Sequence, residues 1–371
     1  MTESARLVDL VQSRLDRLID DRSTILSGIA EEVAPFGTFS RQFLRGGKRF
    51  RALFAYWGWQ SVRGASFDPS PSLGTSEDLE GIVSLASAIE MFHAAALVHD
   101  DLIDSSDTRR GSPSAHRRFE ALHVENRWAG DPATFGTGAA ILLGDLLLTW
   151  SDDLLTEGLL RTEDRGAAAA ARAEWERMRL DVTAGQYLDL VEERAWPTID
   201  DDDALPRAQR VILYKSAKYS VEAPLVLGAA LGGADERQID ALRQFGVPLG
   251  VAFQLRDDLL GVFGDPDVTG KPSGDDLREG KRTVLITLAR TSLPLTSRHL
   301  VDELLGDRDL DDLQIELLQE TVRRSGAVER VERMIEDNVL RASIALERAP
   351  LTSTAKSELD ALMHAAARRA S

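Results

Sequence analysis

The chain has no cysteine, so neither a disulfide framework nor a thiolate metal site is open to it. It has no uninterrupted apolar run approaching the ~18–20 residues of a spanning helix. Its first residues, MTESARLVDLVQSRLDRLIDD, are charged and amphipathic and hold no apolar signal core. A soluble, cytoplasmic chain with no stable membrane insertion is expected. Positive charge is also scarce: 44 Lys and Arg face 61 Asp and Glu, a formal charge of −17. That balance disfavours nucleic acid or an anionic membrane as partner. An anionic substrate would need cations clustered locally, or a metal. Strand-length alternation bounded by hairpin or crossover turns is missing too, and no short repeat recurs.

What remains is helical pattern. With 371 residues and 43% hydrophobic content, the chain can bury a substantial core. The expectation is an all-α fold, one domain over residues 1–371, with about ten or more helices around a central cavity. Leu7, Val11, Leu15 and Leu18 mark a first amphipathic helix, which Pro35 and Gly37 are expected to stop. Residues 62–78, 126–138, 192–208 and 261–280 read as loops. Pro224 and Pro248 sit inside helical pattern and predict kinks or breaks. From about Leu79 to Asp104 the chain is apolar nearly all round, about 39 Å of helix at 1.5 Å per residue, and should run through the core.

That helix ends in His93 to Asp104, HAAALVHDDLID. Asp100 and Asp104 are four residues apart and Asp101 and Asp104 three, so helical geometry crowds three carboxylates onto one rim. Like charges so placed repel unless a cation neutralises them. Oxygen-only ligands suit a hard ion, Mg2+ above all, which keeps part of its water and takes further ligands from substrate phosphates. A charge cluster is more often a solvated helix face, so the metal reading needs the second acidic site far downstream, Gln254, Asp257 and Asp258 in FQLRDDLLGVFGD. Arg109 and Arg110 follow the first rim closely. His93 lies nearly two turns before Asp100 and would point the same way, although a lone histidine in an apolar helix is more often a core residue.

Cations gather at three further places. In GGKRFR, Gly46 and Gly47 let backbone approach an anion, while Lys48 and Arg51 share one side of a starting helix. Lys215, beside Ser216 and Tyr219, lies in an apolar helix and needs an anion or carboxylate at its tip, and Gly185, Gln186 and Asp189 form a polar patch with it. Lys218 reads as a surface residue. Lys271, Asp275, Asp276 and Lys281 surround the loop after Asp258. The acidic run Asp200 to Asp203 has no adjacent cation and reads as a solvated helix cap. Two acidic helix ends among clustered cations, within interior apolar surface, imply a substrate with an anionic head and an apolar tail.

The motifs GGKRFR at 46, HDDLIDSSDTRRG at 99, GQ at 185, KSAKY at 215, FQLRDDLLG at 253 and GKPSGDDLREGKRT at 270 resemble those of the trans-isoprenyl (polyprenyl) diphosphate synthase family, closest to bacterial geranylgeranyl diphosphate synthases. The resemblance runs over nearly the whole chain. It implies an all-α homodimer that ionises an allylic diphosphate (dimethylallyl, geranyl or farnesyl), adds isopentenyl diphosphate to the carbocation and releases a proton. By this resemblance Lys48, Arg51, His93 and Arg110 serve isopentenyl diphosphate, and Arg109, Lys215, Ser216, Gln254, Lys271 and Lys281 serve the allylic diphosphate. Asp100, Asp104 and Asp257 would hold Mg2+, three ions with diphosphate bound, supported by Asp101 and Asp258. The family's second motif is commonly DDxxD, but here it ends in Gly261, so one carboxylate is missing, and Asp265, four residues beyond, or water is expected to fill that place. Family floor positions fall on Ala95 and Ala96, both small, with Phe92 one turn deeper, and geranylgeranyl diphosphate is the expected product. Farnesyl or longer products, a terpene cyclase and a noncatalytic partner subunit are the alternatives.

Overall fold

The computed structural model describes residues 2–63, 77–109, 111–265 and 273–367. Arg110 and Lys271, both expected site residues, lie outside the described residues. The described chain is helical throughout apart from loops and one two-residue antiparallel ladder, Thr108–Arg109 (β1) against Ser112–Pro113 (β2). It forms two compact units, one of residues 1–172 with 227–234 and one of residues 173–226 with 235–371. Two of the three changeovers, at 172/173 and 226/227, fall inside helices, and the third, at 234/235, falls in the turn before Glu236.

The first unit contains Glu3–Ile29 (α1), Ala34–Phe43 (α2), Phe50–Arg63 (α3), Glu77–Ile103 (α4), Ala115–Glu125 (α5), Pro132–Leu160 (α6) and the start of Arg165–Ala195 (α7). Leu7, Val11, Leu15, Leu18 and Ile19 form the buried stripe of α1. That helix ends at Ile29, earlier than the expected stop, and Pro35 and Gly37 belong to α2. Proline is tolerated there because a first-turn residue has no intrahelical acceptor for its missing N–H. Likewise Pro132 opens α6 behind the Asp131 cap, whose side chain accepts from Thr134 N–H at 2.9 Å, so the expected loop at 126–138 is only its first half.

Helices α4 and α6 are both long and apolar enough to cross a membrane, yet the apolar stretch of α4 is 83% buried inside the protein, against 39% for α6. Burial makes α4 the core helix its composition predicts. The two helices meet through glycines: a Cβ on Gly158 would lie 2.7 Å from the Gly81 carbonyl, and one on Gly144 would overlap the His99 ring.

The second unit holds the rest of α7, then Asp201–Val211 (α8), an eleven-residue π-helix Ile212–Glu222, the start of Ala223–Leu231 (α9) and Glu236–Phe263 (α10). After it come Asp275–Glu279 (α11), Val284–Ser292 (α12), Leu295–Leu304 (α13), Asp312–Arg324 (α14), Ala327–Arg348 (α15) and Ser353–Ala367 (α16). The expected loop at 192–208 is mostly helix: α7 runs to Ala195, a short 3-10 turn takes Trp196–Thr198 and Asp200 is the N-cap of α8. Its acidic run is not simply solvated, because Arg290 and Arg298, distant in sequence, both pair with Asp201. Pro224 lies at the junction where the π-helix gives way to α9, while Pro248 sits within an unbroken α10.

Candidate active site

In the first unit the acidic rim forms as the spacing requires. Asp100 and Asp101 occupy the last turn of α4, and Asp104 continues it, its amide donating to the Asp100 carbonyl at 2.8 Å. The three carboxylates differ in environment. The Asp101 side chain is fully buried, while that of Asp100 keeps 20% of its surface. Arg109, on β1, folds back over them: its Nε donates to Asp101 Oδ1 at 2.8 Å, and its Nη2 bonds Asp101 and lies 3.5 Å from Asp100 Oδ2. The small ladder therefore holds one guanidinium across two of the carboxylates.

Along α4 the residues that are neither exposed nor fully buried include His93, Ala96, Leu97 and Asp100. Their spacing of three and four places them on one stripe leading to the rim. Phe92 and Ala95 are buried, at 5% and 0% exposure. Of the two floor alanines only Ala96 lies on the partly open stripe.

The GGKRFR segment joins α2 to α3 with left-handed backbone at Gly46 (φ 73°), Gly47 (φ 85°) and Arg49 (φ 51°). Lys48 is exposed and Arg51 half-buried. Arg49, which is not among the expected site residues, is buried: Nη1 donates to Glu90 Oε2 at 2.9 Å and Nη2 to Gln12 Oε1 at 2.7 Å and to the Leu44 carbonyl. Glu90 Oε1 accepts from Ala52 N–H at 3.2 Å, which places its negative charge at the N-terminus of α3. The signal was present in Glu90 itself, a lone carboxylate in an apolar core helix.

In the second unit Lys215 meets the carboxylate it required: its Nζ donates to Asp189 Oδ2 at 2.5 Å. Gly185 makes this possible, since a Cβ there would collide with the backbone of Tyr214 and Lys215. Lys218 departs from expectation. It pairs with Asp181 at 2.7 Å, lies 4.6 Å from the Tyr214 ring centroid, and keeps only 24% of its side-chain surface. The wide π-helical turn carries both lysines and Ser216, which is half-buried.

On α10, Asp257 is exposed and Asp258 is 4% exposed. Gln254 Nε2 donates to Asp258 Oδ1 at 2.8 Å, while Asp258 Oδ2 is buried without a hydrogen-bond partner among the described residues. Burial raises the Asp258 carboxyl well above the ordinary carboxylate range, Gln254 works against this, and the charges of Asp276, Asp257 and Asp189 add to it. Lys281 pairs with Glu279 at 3.0 Å. No group of three or more His, Cys, Asp or Glu is already assembled to hold a metal ion among the described residues. The donor set still fits a hard cation: acid-rich, all oxygen, with one fully buried carboxylate oxygen unsatisfied.

A family model described as Polyprenyl synthetase matches residues 36–322. The chain is similar to the crystal structure of geranylgeranyl pyrophosphate synthase from Corynebacterium glutamicum complexed with isoprenyl diphosphate and magnesium, 36% identical over 100% of both chains with a TM-score of 0.91. It is also similar to a farnesyl diphosphate synthase of Geobacillus stearothermophilus, 35% identical over 66% of this chain and 72% of that one. A geranylfarnesyl diphosphate synthase of Aeropyrum pernix is 29% identical over 85% of this chain and 87% of its own. These relatives differ in product length, so likeness establishes the reaction type and leaves the product to the chain's own residues.

Proposed function

Because the chain belongs to the polyprenyl synthetase family and is a prenyltransferase, we propose that it condenses isopentenyl diphosphate with allylic diphosphates and releases geranylgeranyl diphosphate as its main product. The observation that carries this reading is the acidic rim closed by Arg109 at the end of a buried apolar helix. An anionic head and an apolar tail are what such a helix end can accept.

In the first unit, Asp100 and Asp104 would hold Mg2+, with Asp101 fixing Arg109. Lys48, Arg51, His93 and Arg110 would take isopentenyl diphosphate, and Arg109 the allylic diphosphate. In the second, Asp257 would hold Mg2+ with Asp258 in support, while Lys215, Ser216, Gln254, Lys271 and Lys281 would bind the allylic diphosphate. Bound Mg2+, three ions by family resemblance, supplies positive charge that stabilises diphosphate as it departs. Arg109 and Lys215 are held ready by Asp101 and Asp189, so each presents its donors with little reorganisation. The allylic C–O bond breaks, the isopentenyl double bond supplies the electrons of the new C–C bond, and a proton leaves to the departing diphosphate. No side chain forms a covalent bond.

The test uses purified chain, Mg2+, labelled isopentenyl diphosphate and dimethylallyl, geranyl or farnesyl diphosphate in turn. Geranylgeranyl diphosphate from each primer is expected. No elongation from any primer sinks the reading, a cyclic hydrocarbon indicates a cyclase, and activity only with an added subunit indicates a noncatalytic partner.

Product length should respond at Ala96. Its place on the stripe between His93 and Asp100 gives added bulk a way into the path of the tail. Ala96→Phe is expected to shift the main product to farnesyl diphosphate, and Phe92→Ala to lengthen it. Ala95→Phe would force bulk into a site with 0% exposure, costing about 1–3 kcal/mol of stability. Unchanged product mass spectra in both Ala96→Phe and Phe92→Ala would discard this floor assignment.

A second copy of the chain is the proposed partner of α6. Phe135, Ile141 and Leu142 leave 36%, 45% and 57% of their surface exposed along that helix, and exposed apolar surface of this kind marks an interaction face. Leu142→Glu should convert a dimer to monomer in sedimentation velocity. A parent chain that sediments as a monomer at micromolar concentration refutes the assignment.

A further inference from the structure

The last position of the second acidic motif holds Gly261 in place of a carboxylate, yet the space its side chain would enter is already taken. A Cβ built on Gly261 falls 2.8 Å from Asp276 Oδ1, and nearer still to the carboxyl carbon and Oδ2. Real Cβ atoms essentially never come within 3.0 Å of another group. A side chain at 261 and the Asp276 carboxylate where it stands therefore exclude one another.

The position of Asp276 is built by the fold. It is the second residue of the short helix α11, which has left-handed glycines at both ends, Gly274 (φ 72°) and Gly280 (φ 78°). The amides of Gly280 and Lys281 both donate to the Asp276 carbonyl at 3.1 Å. Gly274 is further confined by Ile315, whose Cγ2 would lie 2.7 Å from any Cβ added there. Backbone clamped in this way fixes where the Asp276 side chain starts, and its carboxylate stands against Gly261 of α10.

An independent observation points to a ligand. Asp258, three residues before Gly261 on α10, is 4% exposed, and its Oδ2 has no hydrogen-bond partner among the described residues. A buried carboxylate oxygen without a donor calls for a cation or a proton. Gly261, against which the Asp276 carboxylate stands, lies about one turn along the same helix from Asp257 and Asp258.

We propose that Asp276 is the third carboxylate of the second acidic motif in this chain, taking through space the place that Gly261 leaves empty in sequence, and that with Asp257 and Asp258 it holds a hydrated divalent cation of the Mg2+ class. The proposal rests on the prenyl-transfer reading and deepens it. Mg2+ keeps several of its waters and takes further ligands from phosphate. The three carboxylates can therefore act through water without closing to direct-ligand distances, in keeping with the absence of a preassembled metal group among the described residues.

The experiment measures Mn2+ binding to the full chain by electron paramagnetic resonance, with and without inorganic diphosphate, beside product assays with Mg2+. Asp276→Asn keeps the shape of the side chain and should weaken Mn2+ binding by about 10-fold or more, the range found when a supporting ligand is lost. Gly261→Asp alone should lower the melting temperature and the affinity, because the two side chains compete for one space. Gly261→Asp combined with Asp276→Gly returns a carboxylate to that space and should bring Mn2+ affinity back to within about threefold of the parent. Parental Mn2+ affinity in Asp276→Asn, or a double variant that binds no better than Asp276→Gly, overturns the proposal. A parent chain that elongates no allylic diphosphate but binds Mn2+ in an Asp276-dependent way defeats the prenyl-transfer reading and leaves the carboxylate exchange standing. An active parent whose Mn2+ affinity ignores Asp276→Asn does the reverse.

Discussion

Asp100→Ala is expected to lower the rate of prenyl transfer by roughly 10²–10³-fold while leaving the melting temperature near that of the parent, since loss of a single charge-stabilising group typically costs that much. The asymmetry between Asp100 and Asp101 makes the prediction specific. Asp100 keeps 20% of its side-chain surface and lies 3.5 Å from Arg109, so its removal takes away a proposed Mg2+ ligand and little packing. Asp101 is fully buried and carries the close pairing with Arg109. Asp101→Asn should therefore lose stability as well as rate, because it leaves a guanidinium with 16% side-chain exposure without its main counter-charge. Single-turnover rates with Mg2+ and farnesyl diphosphate, paired with thermal melts, separate the two effects. An Asp100→Ala rate within tenfold of the parent would remove Asp100 from the metal assignment.

Much of this was legible in the sequence, for reasons that differ by residue. The apolar composition of α4 fixes it as a core helix, and 3.6-residue geometry then places Asp100, Asp101 and Asp104 on one rim. The need of Lys215 for a carboxylate follows from its apolar surroundings, and Asp189 fills it. Contacts distant in sequence were not legible. Nothing near Asp201 announces Arg290 and Arg298, 89 and 97 residues away. Lys218 reads as a surface residue because its partner Asp181 lies 37 residues back on α7. The π-helix is not legible because local propensity does not separate it from α-helix, and only packing reveals the wider turn. Gly261 reads as a lost carboxylate until the backbone of α11 brings Asp276 to it.

Glu90→Ala should be the most destabilising of the substitutions considered, at about 3–5 kcal/mol, the range for breaking a buried ion pair from one side. Glu90 is 6% exposed and Arg49 has 5% side-chain exposure. Without the carboxylate, Arg49 retains only neutral acceptors among the described residues, Gln12 and the Leu44 carbonyl, and the α3 N-terminus loses the acceptor of the Ala52 amide. Both losses fall on the loop that presents Lys48. The residual native population should accordingly bind isopentenyl diphosphate more weakly, with the KM for the allylic substrate less affected. Arg49→Met with Glu90→Gln removes both charges at similar volume, and it should recover most of the stability lost in Glu90→Ala, because the dominant cost is the stranded guanidinium. Urea titrations of the parent, the single variant and the double variant measure the three quantities. A Glu90→Ala loss below about 1 kcal/mol, or a double variant no more stable than the single, would show that the buried pair does not hold this loop, since breaking one partner of such a pair must leave the other charge uncompensated.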